Sequence, residues 1–362
     1  MTSHVLIFST FDANQTLASV IIFIALPEKT KMMNGSSKTS DRPSAFRVWL
    51  TATRPHTLTA SICPCLVAYA ANHGALLQQR HFLLVAWVVF CVTIQIGTNL
   101  HNDYSDYVQG ADTDKRVGQA RATAQGWLTP YQTCAASVTV LSITFLAGCY
   151  LAMVTEQLGN GWLWFLILSS IFNAFAYTGG PFPLGYVGLG NWSIAYAGLG
   201  DIFVFLYFGL VATLMIPYLL SLQDDHNDII DWTAQWLYAV QVGLLATNII
   251  VVNNLRDRHT DLSAGKHTTA VRFGKRFSLT EYGICLVGAF SLVLVDALRH
   301  RSFPRLLPLL AMPLGFKEFK SISSLEGSAL NQHVGGAAKV QTAFCILLSA
   351  VTLFTGNARG GE

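Results

Sequence analysis

Residues 233–261 read TAQWLYAVQVGLLATNIIVVNNLRDRHTD: about twenty mostly apolar residues that run straight into Asn253, Asn254, Asp257 and Asp261. A helix of ~20 apolar residues matches the thickness of a bilayer's hydrocarbon core, so the first part predicts a membrane span. The polar end keeps a helical period. Asn253, Asp257 and Asp261 are spaced by four, which puts their oxygens on one face. The stretch therefore predicts a membrane helix whose end carries a row of hard oxygen ligands.

The rest of the chain has the same character. Of 362 residues, 52% are hydrophobic and only 12% charged, against about a quarter charged in soluble domains, and mean hydropathy is +0.43. A water-soluble fold is excluded. Apolar runs near 57–77, 82–102, 132–154, 161–178, 194–217, 233–253, 278–298, 303–316 and 336–356 predict nine membrane helices around a central cavity, an all-α polytopic fold. The eighth is the shortest and contains Pro304, Pro308 and Pro313. No polar linker divides the runs, so residues 46–362 form one expected membrane domain. Residues 1–45 differ: the apolar run Thr16–Leu26 is too short to span, and the Lys/Ser-rich stretch after it fits a targeting or disordered extension. A plastid or mitochondrial membrane is the expected location if the chain is eukaryotic.

Nine spans place the amino-terminal tail and the loops after spans two, four, six and eight on one side. Those segments hold 18 of the 23 Lys and Arg, the asymmetry expected of the cytoplasm-like face. Three of the five exceptions, Arg299, Arg301 and Arg305, share one loop. The acidic loop 223–228 falls on the opposite face. Seven cysteines lie in or beside apolar stretches, as small buried hydrophobes do, and no disulfide framework follows.

A second polar cluster closes the second span: Gly97-Thr-Asn-Leu-His-Asn-Asp-Tyr-Ser-Asp-Tyr-Val-Gln-Gly-Ala-Asp112. Asn99, Asn102 or Asp103, and Asp106 share a helical face, and Asp112 follows Gly110, where the helix is expected to end. Taken singly, either cluster reads as a solvated helix cap. Two with matched spacing on the same positively charged face read differently, because carboxylates at membrane helix ends are costly unless paired, solvated or bound to cations. Facing oxygen clusters suit Mg²⁺, which one or two carboxylates hold together with waters and substrate phosphates. The basic residues at their edges, Lys115, Arg116, Arg256, Lys266 and Arg272, suit an anionic diphosphate. His101 and His259 have no zinc spacing and no nucleophile partner.

Asn102-Asp-x-x-Asp106 with Asp112, and Asp257-x-x-x-Asp261, resemble the motifs of the UbiA superfamily of intramembrane prenyltransferases. The flanking stretches Arg54-Pro-His-Thr-Leu58, Ala176-Tyr-Thr-Gly-Gly-Pro-Phe-Pro-Leu184, Asn253–Lys266 and Ala329-Leu-Asn331 look most like its 1,4-dihydroxy-2-naphthoate prenyltransferases. The resemblance covers about residues 46–356. It implies transfer of a polyprenyl or phytyl group from its diphosphate to that naphthoate with loss of CO₂, in menaquinone or phylloquinone synthesis. Mg²⁺ would be held by Asn102, Asp106, Asp257 and Asp261, with Asn99, Asp103, Asp112 and Asn253 in or next to the shell. Lys115, Lys266 and Arg272 would hold phosphate oxygens, and Arg54 a phosphate or the acceptor's carboxylate. Aromatic residues Phe172, Phe175, Tyr177, Phe203, Phe205 and Tyr207 are candidates to line a water-poor cavity around the allylic cation. The chain departs from the subfamily in a duplicated Tyr-x-Gly-Leu-Gly element (185–190 and 195–200), with Asp201 aligned to an acidic position after the second copy. Expected partners are a prenyl diphosphate, an aromatic acceptor and the lipid bilayer, with no nucleic acid. Homogentisate and 4-hydroxybenzoate are the alternative acceptors, and a membrane transporter is the reading from another class.

Overall fold

A computed structural model describes residues 43–73, 81–112, 117–179, 192–222 and 230–357. The expected extension up to residue 42, Lys115 and Arg116, the first copy of the duplicated element with Pro181–Leu184 and Asn191, and the acidic loop 223–228 lie outside them.

The described residues are all helical, in ten α-helices joined by turns and 3₁₀ segments: α1 (Ala45–Thr53), α2 (Thr59–Ala71), α3 (His81–Val108), α4 (Pro130–Val154), α5 (Gly161–Gly179), α6 (Gly200–Ser221), α7 (Trp232–Ser263), α8 (Thr269–His300), α9 (Met312–Ser324) and α10 (Asn331–Asn357). Seven are long and apolar enough to cross a membrane: α3 to α8, and α10 with the turn before it. The chain is an integral, multi-pass membrane protein. The nine expected spans need one correction. The first is a helix of only 13 residues, α2, and the eighth is split into a 3₁₀ segment (Phe303–Ala311) and the 13-residue α9. Pro308 inside the 3₁₀ segment and Pro313 at the start of α9 explain the split, since proline removes a donor and clashes with the preceding turn. Together the two pieces rise about 37 Å, enough to return the chain to the other face.

Apolar burial gives little net drive between helices already surrounded by lipid, so close packing must hold the bundle. The tightest crossing shows it. A Cβ added to Gly209 would collide with the Gly243 Cα, so α6 and α7 touch backbone to backbone. In this region α6 widens into a π-helical turn, Phe205–Val211, as helices do where local geometry departs from i→i+4 bonding. Val67, Val242, Tyr282 and Phe344 join α2, α7, α8 and α10 in one buried core. Asn72 and Gln235 exchange amide hydrogen bonds of 3.1 and 3.3 Å between α2 and α7.

The positive charges at the far end of α8 are largely paired. Arg299 grips Asp231 bidentately at 2.6 and 2.8 Å. Arg305 donates to Asp296 at 2.9 Å and to the Tyr238 hydroxyl at 2.7 Å. Two of the three arginines of the charge exception, Arg299 and Arg305, are therefore held in ion pairs.

Candidate active site

Both polar clusters sit on continuous α-helix. α3 runs 28 residues and α7 32, so the apolar span and the oxygen row belong to one rod, and the four-residue spacing does place the row on one face. α3 ends where expected: Gly110 adopts φ 70°, and the amides of Ala111 and Asp112 turn back to the Asp106 carbonyl.

The clusters meet. Lys266, just past α7, sets its Nζ 2.7 Å from Asp106 Oδ1 and 4.9 Å from the centre of the Tyr196 ring. A small cleft of ≈ 50 Å³ is bounded by Gly110 and Ala111 on one side and by Asp257, Thr260, Asp261 and Lys266 on the other. Its donors are hard oxygens, the set that suits Mg²⁺. Among the described residues no three His, Cys, Asp or Glu side chains converge into a preformed cage. Mg²⁺ sites need none when substrate phosphates and water complete the shell, so the residues fit the ion.

The other candidates fall into three groups. Asn102, Asp103 and Asp257 are buried in the cluster: Asn102 accepts from Thr178, Asp103 accepts from the Thr123 amide and hydroxyl at 3.3 and 3.2 Å, and Asp257 is clasped by Arg256 at 2.8 and 2.6 Å. Arg256 also donates to Asn253 at 2.8 Å. Asp112 lies 3.9 Å from Arg121. A second group braces the walls. Asn99 spends its amide on the Thr53 carbonyl and Thr57 hydroxyl at 3.0 and 3.1 Å. Asp201, buried, joins α6 to Asn254 of α7 and Thr269 of α8. Arg272 was expected at the phosphates; instead it donates to the carbonyls of His267 (2.8 Å) and Ala197 (3.0 Å) and staples the loop before α6 to the turn before α8. The third group is at the mouth of a larger cavity: Arg54 and Tyr177, with Asn99 and Asn102 beside them.

That cavity, ≈ 180 Å³, runs between α3, α5 and α6 from this polar mouth to Trp87 and Phe90. Trp87 lies 15 residues before Asn102 on α3, about 22 Å along the helix. Tyr177, Phe203 and Tyr207 line it as expected, the last two stacked with centroids 5.9 Å apart. Three expected aromatics stand elsewhere: Phe172 is half exposed on the outer face, Phe175 packs edge-on against His101, and Phe205 lies against Gly243. Arg54 holds φ 52°, a left-handed conformation that a non-glycine residue adopts at a cost. It turns the chain from α1 into the cavity mouth.

Two residues of the cluster went unread in the sequence. Arg121 reaches Asp106 Oδ2 at 3.2 Å, and Tyr196 donates to Asp106 Oδ1 at 3.4 Å. Burial and the charge of Asp106 push the Tyr196 hydroxyl far up, so it stays a donor. Its signal was present in the second Tyr-x-Gly-Leu-Gly copy. Arg121 carried none beyond its charge. The segment that delivers it crosses Arg256 so closely that a Cβ on Gly118 would lie 2.7 Å from the guanidinium.

A helical membrane bundle with an oxygen-rich, cation-flanked cluster at the mouth of an apolar cavity defines a class of intramembrane enzyme. Residues 61–326 match the model of the UbiA prenyltransferase family, and the chain belongs to that family of transferases. A 1,4-dihydroxy-2-naphthoate octaprenyltransferase of Mycobacterium leprae is 32% identical over 283 residues, covering 78% of this chain and 87% of the relative. One from Escherichia coli is 32% identical over 290 residues, with the same coverage. A UbiA prenyltransferase domain-containing protein 1 homolog of Drosophila melanogaster is 28% identical over 295 residues, covering 80% of this chain and 75% of the relative. A solved structure of a digeranylgeranylglyceryl phosphate synthase shares the fold, with a TM-score of 0.51 at 10% identity, over 85% of this chain and 99% of that one.

Proposed function

We propose that the protein transfers a prenyl group from its diphosphate to 1,4-dihydroxy-2-naphthoate with loss of CO₂. The observation that carries the chemistry is the meeting of Asp106, Asp257, Asp261 and Lys266 at one face, next to an apolar cavity whose lining spans about 22 Å of α3. The relatives in Mycobacterium leprae and Escherichia coli support this acceptor.

The reaction breaks an allylic carbon–oxygen bond, whose electron pair leaves with the diphosphate. Mg²⁺, held by Asn102, Asp106, Asp257 and Asp261, would supply Lewis-acid neutralisation of that charge. Lys266 holds a phosphate oxygen, and Lys115, outside the described residues, is assigned the same role from the resemblance. Tyr177, Phe203 and Tyr207 face the developing carbocation and stabilise it without offering a nucleophile, while the cavity keeps water from trapping it. Arg54 at the mouth orients the acceptor through its carboxylate. The ring carbon bearing that carboxylate forms the new carbon–carbon bond, and CO₂ departs.

Purified protein with Mg²⁺, a polyprenyl diphosphate and 1,4-dihydroxy-2-naphthoate is expected to release pyrophosphate and CO₂ and form the prenylated product. Homogentisate and 4-hydroxybenzoate are the comparison acceptors, and faster turnover of either would reassign the substrate. Asp106→Ala and Asp261→Ala are expected to insert normally and to lose at least about 100-fold in turnover; activity retained in both would remove them from the metal shell.

A further inference from the structure

Asp106 is held from both sides by side-chain cations. Lys266 Nζ takes Oδ1 at 2.7 Å and Arg121 Nη2 takes Oδ2 at 3.2 Å. The Arg121 Nε also lies 3.9 Å from both Asp103 and Asp112. This guanidinium is only 8% exposed, and its Nη1 is buried with no hydrogen-bond partner. A buried charged donor without an acceptor is costly, and it marks the place where an acceptor belongs. The flat guanidinium fork is suited to two phosphate oxygens at once.

We propose that Arg121 is a diphosphate-binding residue of this site and that, before the ligand arrives, it stands in for the metal at Asp106. Both roles follow from one position. Asp106 lies buried at a helix end, where a bare carboxylate is expensive, so a cation must cover it in the resting protein. A metal ion held by Asp106 would compete with Arg121 for that carboxylate. The diphosphate relieves that competition, because it accepts the displaced guanidinium and fills the open Nη1. Metal and diphosphate therefore favour each other's binding, and by linkage the coupling is reciprocal. This inference rests on the diphosphate reading above.

The test measures binding of Mn²⁺ and inorganic pyrophosphate, alone and together, to the full-length protein in detergent by calorimetry, with Mn²⁺ followed also by electron paramagnetic resonance. Wild type is expected to bind the two together more tightly than either alone. Arg121→Gln is expected to lose about 10- to 100-fold in pyrophosphate affinity, the range of a lost charged hydrogen bond, while Mn²⁺ alone binds at least as tightly as in wild type. A merely structural role would weaken both ligands together, and that outcome overturns the proposal. Arg121→Lys keeps the charge at Asp106 but not the fork, so it is expected to fold and to lose a smaller part of the pyrophosphate affinity; wild-type affinity in both variants also overturns the proposal. Wild type that binds no Mn²⁺–pyrophosphate would sink the diphosphate reading itself, and with it this inference. Wild-type coupling alongside an unaffected Arg121→Gln sinks only the assignment of Arg121.

Discussion

At the scale of single residues, the site is a balance of charges taken out of water, and His56 is where pH enters it. His56 follows Arg54 in the 3₁₀ turn between α1 and α2. Burial, then the charges of Arg54 and Arg256, lower its pKa from 6.5 to about 4. The unfolded chain takes up this proton below pH 6.5 and the folded one refuses it until about pH 4. Its contribution to stability is therefore full above pH 6.5 and lost progressively down to about pH 4. Melting temperatures of the detergent-solubilised protein from pH 7.5 to 4.5 should fall, and His56→Gln should flatten that fall; equal slopes would clear His56. The residues also show what a sequence reveals. Asp106, Asp257 and Asp261 were legible because their chemistry is tied to a helical period. Arg121 was not, since it arrives on a turn 15 residues after Asp106 with no period to place it. Arg272 was visible as a charge, but its turn back onto two carbonyls depends on how the loop before α6 folds against it.

Elements were legible to the extent that hydropathy measures length. Seven spans emerged from apolar runs alone, whereas the π-helical turn at Phe205–Val211 looks like any other apolar run and is set by a partner, Gly243, in a different helix. Replacing Gly243 by Val would drive methyl groups into Phe205 and Gly209, at a cost of about 1–3 kcal/mol for overpacking, read as a lower melting temperature; an unchanged one would mean that α6 and α7 separate freely. The same helices decide what tail fits. At the deep end of the cavity the Trp87 indole donates to the Ala212 carbonyl at 2.9 Å and stacks on Phe90 with centroids 5.0 Å apart, so α3 and α6 are closed there by one large side chain. Trp87→Ala should shift kcat/KM toward longer prenyl diphosphates, with about 3–5 kcal/mol lost from stability as for other large aromatic truncations. If the preference between short and long donors does not move, the cavity's floor lies elsewhere.

On the scale of the whole molecule, the two faces handle charge in opposite ways. At the face of the candidate site cations and carboxylates are gathered around a small cleft. At the far face Asp231, Asp296, Arg299, His300 and Arg305 are closed among themselves, tying the start of α7 to the end of α8 and to the 3₁₀ segment that begins the broken crossing. Burial alone would push the Asp231 carboxyl up, but the hydrogen bonds from Arg299 and the Ala234 amide outweigh it and hold the pKa at about 2. That pair persists until the pH falls well below the ordinary carboxylate range, and the share of stability it carries is lost only between about pH 4 and pH 2. The Asp296–Arg305 pair is the deeper one, with side chains 3% and 8% exposed. Removing one partner strands the other charge, so Asp296→Asn should cost about 3–5 kcal/mol. Removing both, as Asp296→Leu with Arg305→Met, should restore most of that loss, because similar volume is kept and no charge is left alone. Melting temperatures of the single and double variants decide between two roles for the pair. Recovery in the double variant means that it only neutralises charge at this end of the bundle; a double variant as unstable as the single one means that the Arg305 bond to Tyr238 is needed to hold the broken crossing against α7.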